Sequence, residues 1–150
     1  MLEVKNINVS FRRESQDEIL GLTKKQVLYD ISLKVPEGTC LGILGESGSG
    51  KTTLGRVISG LLKPDSGNVL VDGINVYGSR KGKKLLQNKI SLVFQDYTTS
   101  TNPRFRVGDI IAEGLAAQER KFGKIVDGQK EILRLLNLVG LDAEFMDRFP

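Results

Sequence analysis

One segment of eight residues constrains what this chain can fold into more than any other feature. It matches the pattern G-x-x-x-x-G-K-S/T and consists of Gly45, Glu46, Ser47, Gly48, Ser49, Gly50, Lys51 and Thr52. The stretch before it, residues 40–44, is short and apolar, which is typical of a buried strand. After it, apolar residues recur at helical spacing as far as residue 62. This order of strand, glycine-rich loop and helix predicts a phosphate-binding loop rather than a turn that matches by chance.

Each residue type in this loop has a chemical reason to be there. Glycines allow a positive φ and a close backbone approach, so that successive N–H groups can line a concave anion site. The helix predicted to begin near Lys51 adds the positive end of its dipole. The Lys51 ammonium suits the β- and γ-phosphates of a nucleotide, and the Thr52 hydroxyl suits Mg²⁺. The loop therefore predicts a site for a nucleoside triphosphate with Mg²⁺.

The composition excludes several other kinds of site. The 150 residues include no histidine, which excludes Ser-His-Asp and Cys-His catalysis and histidine-ligated metals within them. The single cysteine, Cys40, excludes an internal disulfide and a cysteine-cluster zinc site. The net charge of +4 comes from interleaved basic and acidic residues, so we expect no nucleic-acid partner. No apolar run approaches the ~20 residues of a membrane-spanning helix, and we expect no secretory signal at the start.

Apolar periodicity predicts the elements around the loop. Strands are expected at residues 2–11, 27–35, 69–71 and 74–76, with an Asp72-Gly73 hairpin turn between the last two. Strands buried on both faces are expected at residues 40–44, with Cys40 packed as an apolar residue, and at residues 90–94. Helices are expected from residue 51 to 62 and at residues 80–89, 107–117 and 129–139. The charged residues 12–26 are predicted to form a surface loop.

Two residues near the ends of predicted strands have more than one interpretation. Phe11 could be a platform for an adenine ring, although its pattern alone favours a core position. Gln95 could reach Mg²⁺ or an attacking water, although a plain glutamine at a strand end is more common. Asp72 and Asp96 also end apolar runs, but Asp72 is better explained by its turn. Asp96 stays a weaker candidate for holding Mg²⁺ through water.

Other polar and apolar patterns have simpler interpretations. The basic run of residues 80–84 is predicted to be a solvated helix face rather than a phosphate-backbone site. The last predicted helix has an apolar side that is expected to be buried, formed by Ile132, Leu133, Leu135, Leu136 and Val139. Together the elements indicate an α/β nucleotide-binding layout with an attached helical region.

These features together resemble the ATP-binding subunit of ABC transporters. The resemblance is carried by LEVKNINVSF at residues 2–11, by residues 28–73 around the loop, and by ISLVFQD at residues 90–96. It implies a phosphate-loop NTPase core with an N-terminal antiparallel β subdomain in residues 1–97, and the start of an α-helical subdomain in residues 98–150. It also implies that Phe11 stacks on adenine, that Thr53 joins the loop in binding nucleotide, and that Gln95 contacts Mg²⁺ and acts with Lys51 in catalysis.

Residues 92–111 are similar to the peptide/nickel importer branch of that family, because Gln-Asp is followed by a polar loop, Asn-Pro-Arg and a helix that begins with valine. Members of that branch take up oligopeptides, dipeptides, nickel or metal–metallophore complexes. The resemblance implies permease subunits, a second ATP-binding subunit and, indirectly, an extracytoplasmic substrate-binding protein as partners, at the cytoplasmic face of the membrane.

The family's signature motif, acidic catalytic strand and switch histidine have no match in this sequence. We therefore expect residues 1–150 to be the first part of a longer subunit, with little hydrolysis of its own. The alternatives are a small-molecule kinase of the phosphate-loop class, a non-catalytic nucleotide-binding module, and a non-transport ABC ATPase that acts on DNA or ribosomes. The kinase would need acceptor-binding and lid residues that are not evident after the loop.

Overall fold

The computed structural model of the chain describes residues 1–14, 22–95, 101–123 and 127–150, in two compact units, Met1–Leu92 and Val93–Pro150. The domain boundary predicted between residues 97 and 98 lies outside the described residues and stays a prediction. Asp96 lies outside them as well.

The first unit contains a four-stranded antiparallel sheet. Its strands are β1 (Leu2–Glu14), β2 (Leu22–Val35), β3 (Ser66–Val71) and β4 (Ile74–Asn75), in the order β2-β1-β3-β4. Val4, Ile7 and Val9 of β1 are buried in the core, and an irregularity of the strand register lies between Val4 and Ile7.

The loop predicted at residues 12–26 is wrong at both of its ends, because β1 continues to Glu14 and β2 begins at Leu22. The two strands pair as far as Glu14 opposite Leu22. Backbone hydrogen bonding between neighbouring strands extends this ribbon even where the side chains are charged, so the polar pattern did not reveal it.

The turn between β3 and β4 is confirmed. Asp72 and Gly73 have φ values of 50° and 77°, and the strands on either side pair Val71 with Ile74. Two successive positive φ values are the requirement of a type I′ hairpin turn. Asp72 therefore has a conformational role in this turn.

Two helices follow the loop within the first unit. Helix α1 (Lys51–Ile58) buries Leu54 and Val57 in the same apolar cluster as the core residues of β1. It ends earlier than the predicted residue 62, since Gly60 has a φ of 78° and Leu61 is exposed. Helix α2 (Arg80–Lys89) matches its predicted range, and its basic residues 80, 81, 83 and 84 are exposed as expected.

The two predicted strands that were expected to be buried on both faces are not strands in the structure. Residues 40–44 and 90–94 have no strand assignment, Cys40 is exposed, and Leu44 is 95% exposed. Apolar sequence makes a strand only where a neighbouring strand takes its hydrogen bonds, and neither segment has one among the described residues. The prediction that Cys40 packs as an apolar residue is therefore wrong for this structure.

The second unit is helical. Helices α3 (Val107–Phe122) and α4 (Gly128–Leu138) and a 3₁₀ turn at Ala143–Asp147 surround a small core of Leu115, Ile132 and Leu136. Helix α3 is longer than predicted, and Val139 is exposed rather than buried because α4 ends at Leu138. No helix in the described part of the chain is long and apolar enough to cross a membrane.

Candidate nucleotide-binding site

The glycine-rich loop leads directly into α1. Gly50 is the residue before the helix and has a φ of 96°, and Gly48 has a φ of 81°. A Cβ at Gly50 would lie 2.8 Å from Leu28 Cδ2 and 3.2 Å from the carbonyl oxygen of Val27. Both the left-handed backbone and the close approach to β2 therefore require glycine at this position.

The backbone of the loop offers several N–H groups to a ligand. The amide of Ser49 donates to Glu46 O at 3.2 Å, and that of Leu54 donates to Gly50 O at 2.8 Å. The amides of residues 47, 48, 50, 51, 52 and 53 donate to no acceptor in the described part of the chain, and α1 has no side-chain cap. Unpaired N–H groups at a helix N-terminus with a preceding glycine-rich turn form an anion-binding concavity. The loop therefore fits the phosphates of a nucleotide.

The Lys51 side chain folds back over this loop. Its Nζ donates to Gly45 O and to Glu46 O, each at 2.7 Å, and lies 3.3 Å from Ser49 Oγ. These acceptors hold the ammonium group against the backbone of the loop. A phosphate that enters the loop exchanges neutral carbonyl partners of Lys51 for a charged partner, which forms the stronger hydrogen bond.

The first turn of α1 carries the hydroxyls that could serve a metal. Thr52 is exposed and Thr53 is half-buried. No group of three carboxylate, histidine or cysteine side chains lies together in the residues the structure describes. Mg²⁺ keeps several waters and needs only one or two protein ligands beside substrate phosphates. The Thr52 hydroxyl oxygen can act as one such protein ligand, so the site fits Mg²⁺ held jointly with a nucleotide.

Phe11 lies on β1 within the same unit as the loop. It is 41% exposed, so the core position favoured by its pattern alone is wrong. Two residues earlier, Val9 pairs with Leu28, whose side chain lies against Gly50. At ~3.4 Å of rise per residue, Phe11 is ~7 Å along the strand from that contact. A partly exposed aromatic ring at this position can serve as a base platform, a role that stays a prediction.

Gln95 is exposed and belongs to the second unit, and its role toward Mg²⁺ stays a prediction. Ser49, predicted as part of the loop, has its hydroxyl oxygen 3.3 Å from Lys51 Nζ. Sequence reasoning missed one part of the site. Val27 and Leu28 of β2 lie against Gly50 of the loop. The contact depends on how β2 pairs with β1, which the sequence pattern did not indicate.

Comparison with known proteins decides the family. The sequence model of one family, described as ABC transporter, matches residues 28–149. The chain belongs to the ABC transporter family.

Two relatives of the chain are named as ATP-binding proteins of transport or import systems. The chain is 36% identical over 152 residues to the oligopeptide transport ATP-binding protein OppF of Streptococcus mutans, a match that covers 100% of the chain and 47% of that protein. It is 31% identical over 150 residues to the metal-staphylopine import system ATP-binding protein CntF of Staphylococcus aureus, covering 100% and 57%. The chain thus spans about half the length of these curated relatives.

A solved structure confirms the predicted fold class. The ATP-binding cassette MJ0796, in a dimeric post-hydrolysis state bound to ADP and Pi, superposes with a TM-score of 0.81 at 26% sequence identity. The match covers 100% of this chain and 62% of that one. The antiparallel sheet, the phosphate loop and the helical second unit are therefore those of an ABC ATPase cassette.

Proposed function

We propose that the chain is the nucleotide-gripping part of the ATP-binding subunit of an ABC importer for peptides or for nickel or other metal complexes. The observation that carries the proposal is the set of unpaired amides at residues 47, 48 and 50–53, with the Lys51 ammonium held by the carbonyl groups of the same loop. The names of the peptide and metal-staphylopine import relatives support the substrate class.

In the proposed mechanism, the loop amides and Lys51 bind the β- and γ-phosphates of ATP, and Phe11 stacks on the adenine. Thr52 holds Mg²⁺ together with the phosphates, and the metal, when bound, neutralises charge on the phosphate oxygens. Gln95 helps to organise the metal and, through the segment that follows it, transmits the nucleotide state. Thr53 and the remaining loop residues shape the phosphate site.

The partners follow from the same assignment. We propose that two ATP-binding subunits pair, as in the dimeric cassette of the related solved structure, and act on permease subunits at the cytoplasmic face of the membrane. An extracytoplasmic binding protein would deliver the substrate, and no nucleic acid takes part. Coupled hydrolysis is a property of the complete subunit in this proposal, and residues 1–150 alone hydrolyse ATP negligibly.

The experiment that tests nucleotide binding is a calorimetric titration of Mg-ATP into the wild type and Lys51→Ala. Removing one member of a largely desolvated charge pair should cost ~2–5 kcal/mol, or about thirtyfold or more in affinity. Arg56→Ala on α1 is the matched control, since it also removes one positive charge but lies at the far end of the helix. Unchanged affinity in Lys51→Ala would contradict the assignment of the phosphate loop.

A further inference from the structure

Lys25 lies directly beside the proposed base platform. In the pairing of β1 with β2, the Cα partner of Phe11 is Lys25. Residues that face each other across an antiparallel pair project their side chains to the same side, with Cβ atoms about 4.5–5.5 Å apart. The Lys25 side chain therefore leaves the sheet on the same face as the Phe11 ring.

That face is the one against which the phosphate loop packs. The next pair inward on the same face is Val9 with Leu28, both buried, and Leu28 Cδ2 lies 2.8 Å from the position of a Cβ on Gly50. Val9 and Phe11 are two residues apart on one strand and so share a face.

A β-bulge between these two pairs keeps Lys25 on the loop side. Val9 pairs with Leu28 while Ser10 pairs with Gln26, which leaves Val27 as the extra residue of β2. The Gln26 side chain lies on the opposite face, where its Nε2 donates to Asn8 Oδ1 at 2.9 Å. Lys25, the residue before Gln26 on β2, thus returns to the face of the loop.

The charge of Lys25 is available to a ligand. Its side chain is exposed, and it forms no ion pair with any carboxylate side chain that the structure describes. Along β2 it is two residues, or ~7 Å, from Val27, whose carbonyl oxygen borders the end of the loop. A lysine carries its ammonium group on a flexible four-carbon stem, which suits it to reach across a gap of this size.

We propose that Lys25 is a further nucleotide-binding residue, whose ammonium group pairs with the phosphate chain at the end nearer the base. Its position beside the Phe11 platform, two residues along β2 from the Val27 contact with Gly50, places its charge near the base rather than at the terminal phosphate. The inference rests on the proposed nucleotide-binding function of the loop.

The test compares three variants by calorimetric titration with Mg-ATP and Mg-ADP. Lys25→Met keeps most of the aliphatic stem and removes the charge. We expect it to weaken the affinity for both nucleotides by the same factor, about three- to tenfold, because the base-proximal phosphates are common to them. Lys25→Arg should restore most of the affinity. The loss in Lys25→Met should shrink at high salt, as it does for exposed charge pairs.

Lys24→Met is the matched control, because Lys24 is the adjacent lysine, pairs with Arg12 and lies on the opposite face of the ribbon. It should leave the affinity within about twofold. Equal losses in Lys24→Met and Lys25→Met would show a general charge effect and overturn the inference. So would a loss that is confined to ATP or that does not depend on salt.

The proposed function can fail separately from this inference. If Lys51→Ala abolishes binding while Lys25→Met leaves it unchanged, only the role of Lys25 is wrong. If neither variant changes the affinity, the loop itself is not the phosphate site.

Discussion

Substituting Gly50 by alanine tests whether the phosphate loop and β2 require each other's geometry. An alanine at a φ of 96° would be held in a left-handed conformation, which costs about 1–2 kcal/mol. Its Cβ would also lie 2.8 Å from Leu28 Cδ2 and 3.2 Å from Val27 O. Leu28 would have to leave its rotamer to relieve the shorter contact, at about 0.5–1.5 kcal/mol, whereas the backbone oxygen of Val27 cannot rotate away. We expect Gly50→Ala to lower the free energy of unfolding by about 1.5–3.5 kcal/mol in total.

Gly48→Ala separates the two causes. Gly48 has a φ of 81°, but a Cβ there would meet no atom within 4 Å, so only the conformational cost of about 1–2 kcal/mol applies. Urea unfolding followed by circular dichroism measures both variants, and linear extrapolation gives their free energies of unfolding. Gly50→Ala should be the less stable of the two and should also bind Mg-ATP more weakly. Equal losses of stability in the two variants would refute the claim that the loop packs tightly on Val27 and Leu28.

Three further predictions concern the base platform, the end of α1 and the second unit. Phe11→Ala should weaken ATP and GTP binding alike, by about 1–3 kcal/mol, while Phe11→Tyr preserves it; calorimetry that finds no loss in the alanine variant would remove the stacking role. The Tyr77 hydroxyl can donate to Val57 O or Leu62 O, and burial raises the pKa of Tyr77. Its contribution to stability is therefore complete at pH values below ~10. The contribution falls as the pH rises further, because the unfolded chain loses the phenolic proton more readily than the folded chain. Tyr77→Phe should cost about 0.5–1.5 kcal/mol at neutral pH and show a shallower loss of stability in alkaline urea titrations; an identical pH dependence would contradict this. Gln95→Ala in the assembled transporter should lower transport-coupled turnover more than ATP affinity, and parallel losses of both would argue against a coupling role.

The parts of the site that local sequence encodes could be predicted, and the parts that depend on pairing between distant segments could not. The loop of residues 45–52 follows from its own glycines, its lysine and the helix after it, all within a few residues of one another. The same holds for the Asp72-Gly73 turn and for α2. In each case short-range conformational preference and short-range hydrogen bonding act together.

The strand predictions that were wrong depend on pairing between segments that are far apart in the sequence. The ribbon formed by residues 9–14 of β1 consists largely of polar and charged side chains, and its strand character comes from the partner strand rather than from its own pattern. Conversely, residues 40–44 have the apolar pattern of a strand but no strand partner in the described residues, and their side chains are exposed. A pattern of side chains thus indicates which residues would pack, whereas a neighbouring strand decides whether they do.

The bulge at Val27 shows how strand pairing positions residues beside a loop that the local sequence predicts. A slip of one residue in strand pairing moves a strand's side chains to the opposite face of the sheet. Without the extra residue in β2, Lys25 would therefore lie on the face opposite Phe11. With it, Phe11 and Lys25 leave the sheet together on the side of Gly50, while Gln26 turns to Asn8 on the other side. The phosphate loop is therefore a local feature of the sequence, but the position of the base platform relative to that loop depends on the register of a ribbon whose strands are far from it in sequence. Nucleotide affinity in this chain should accordingly be sensitive to changes in β2 that never touch the loop motif itself.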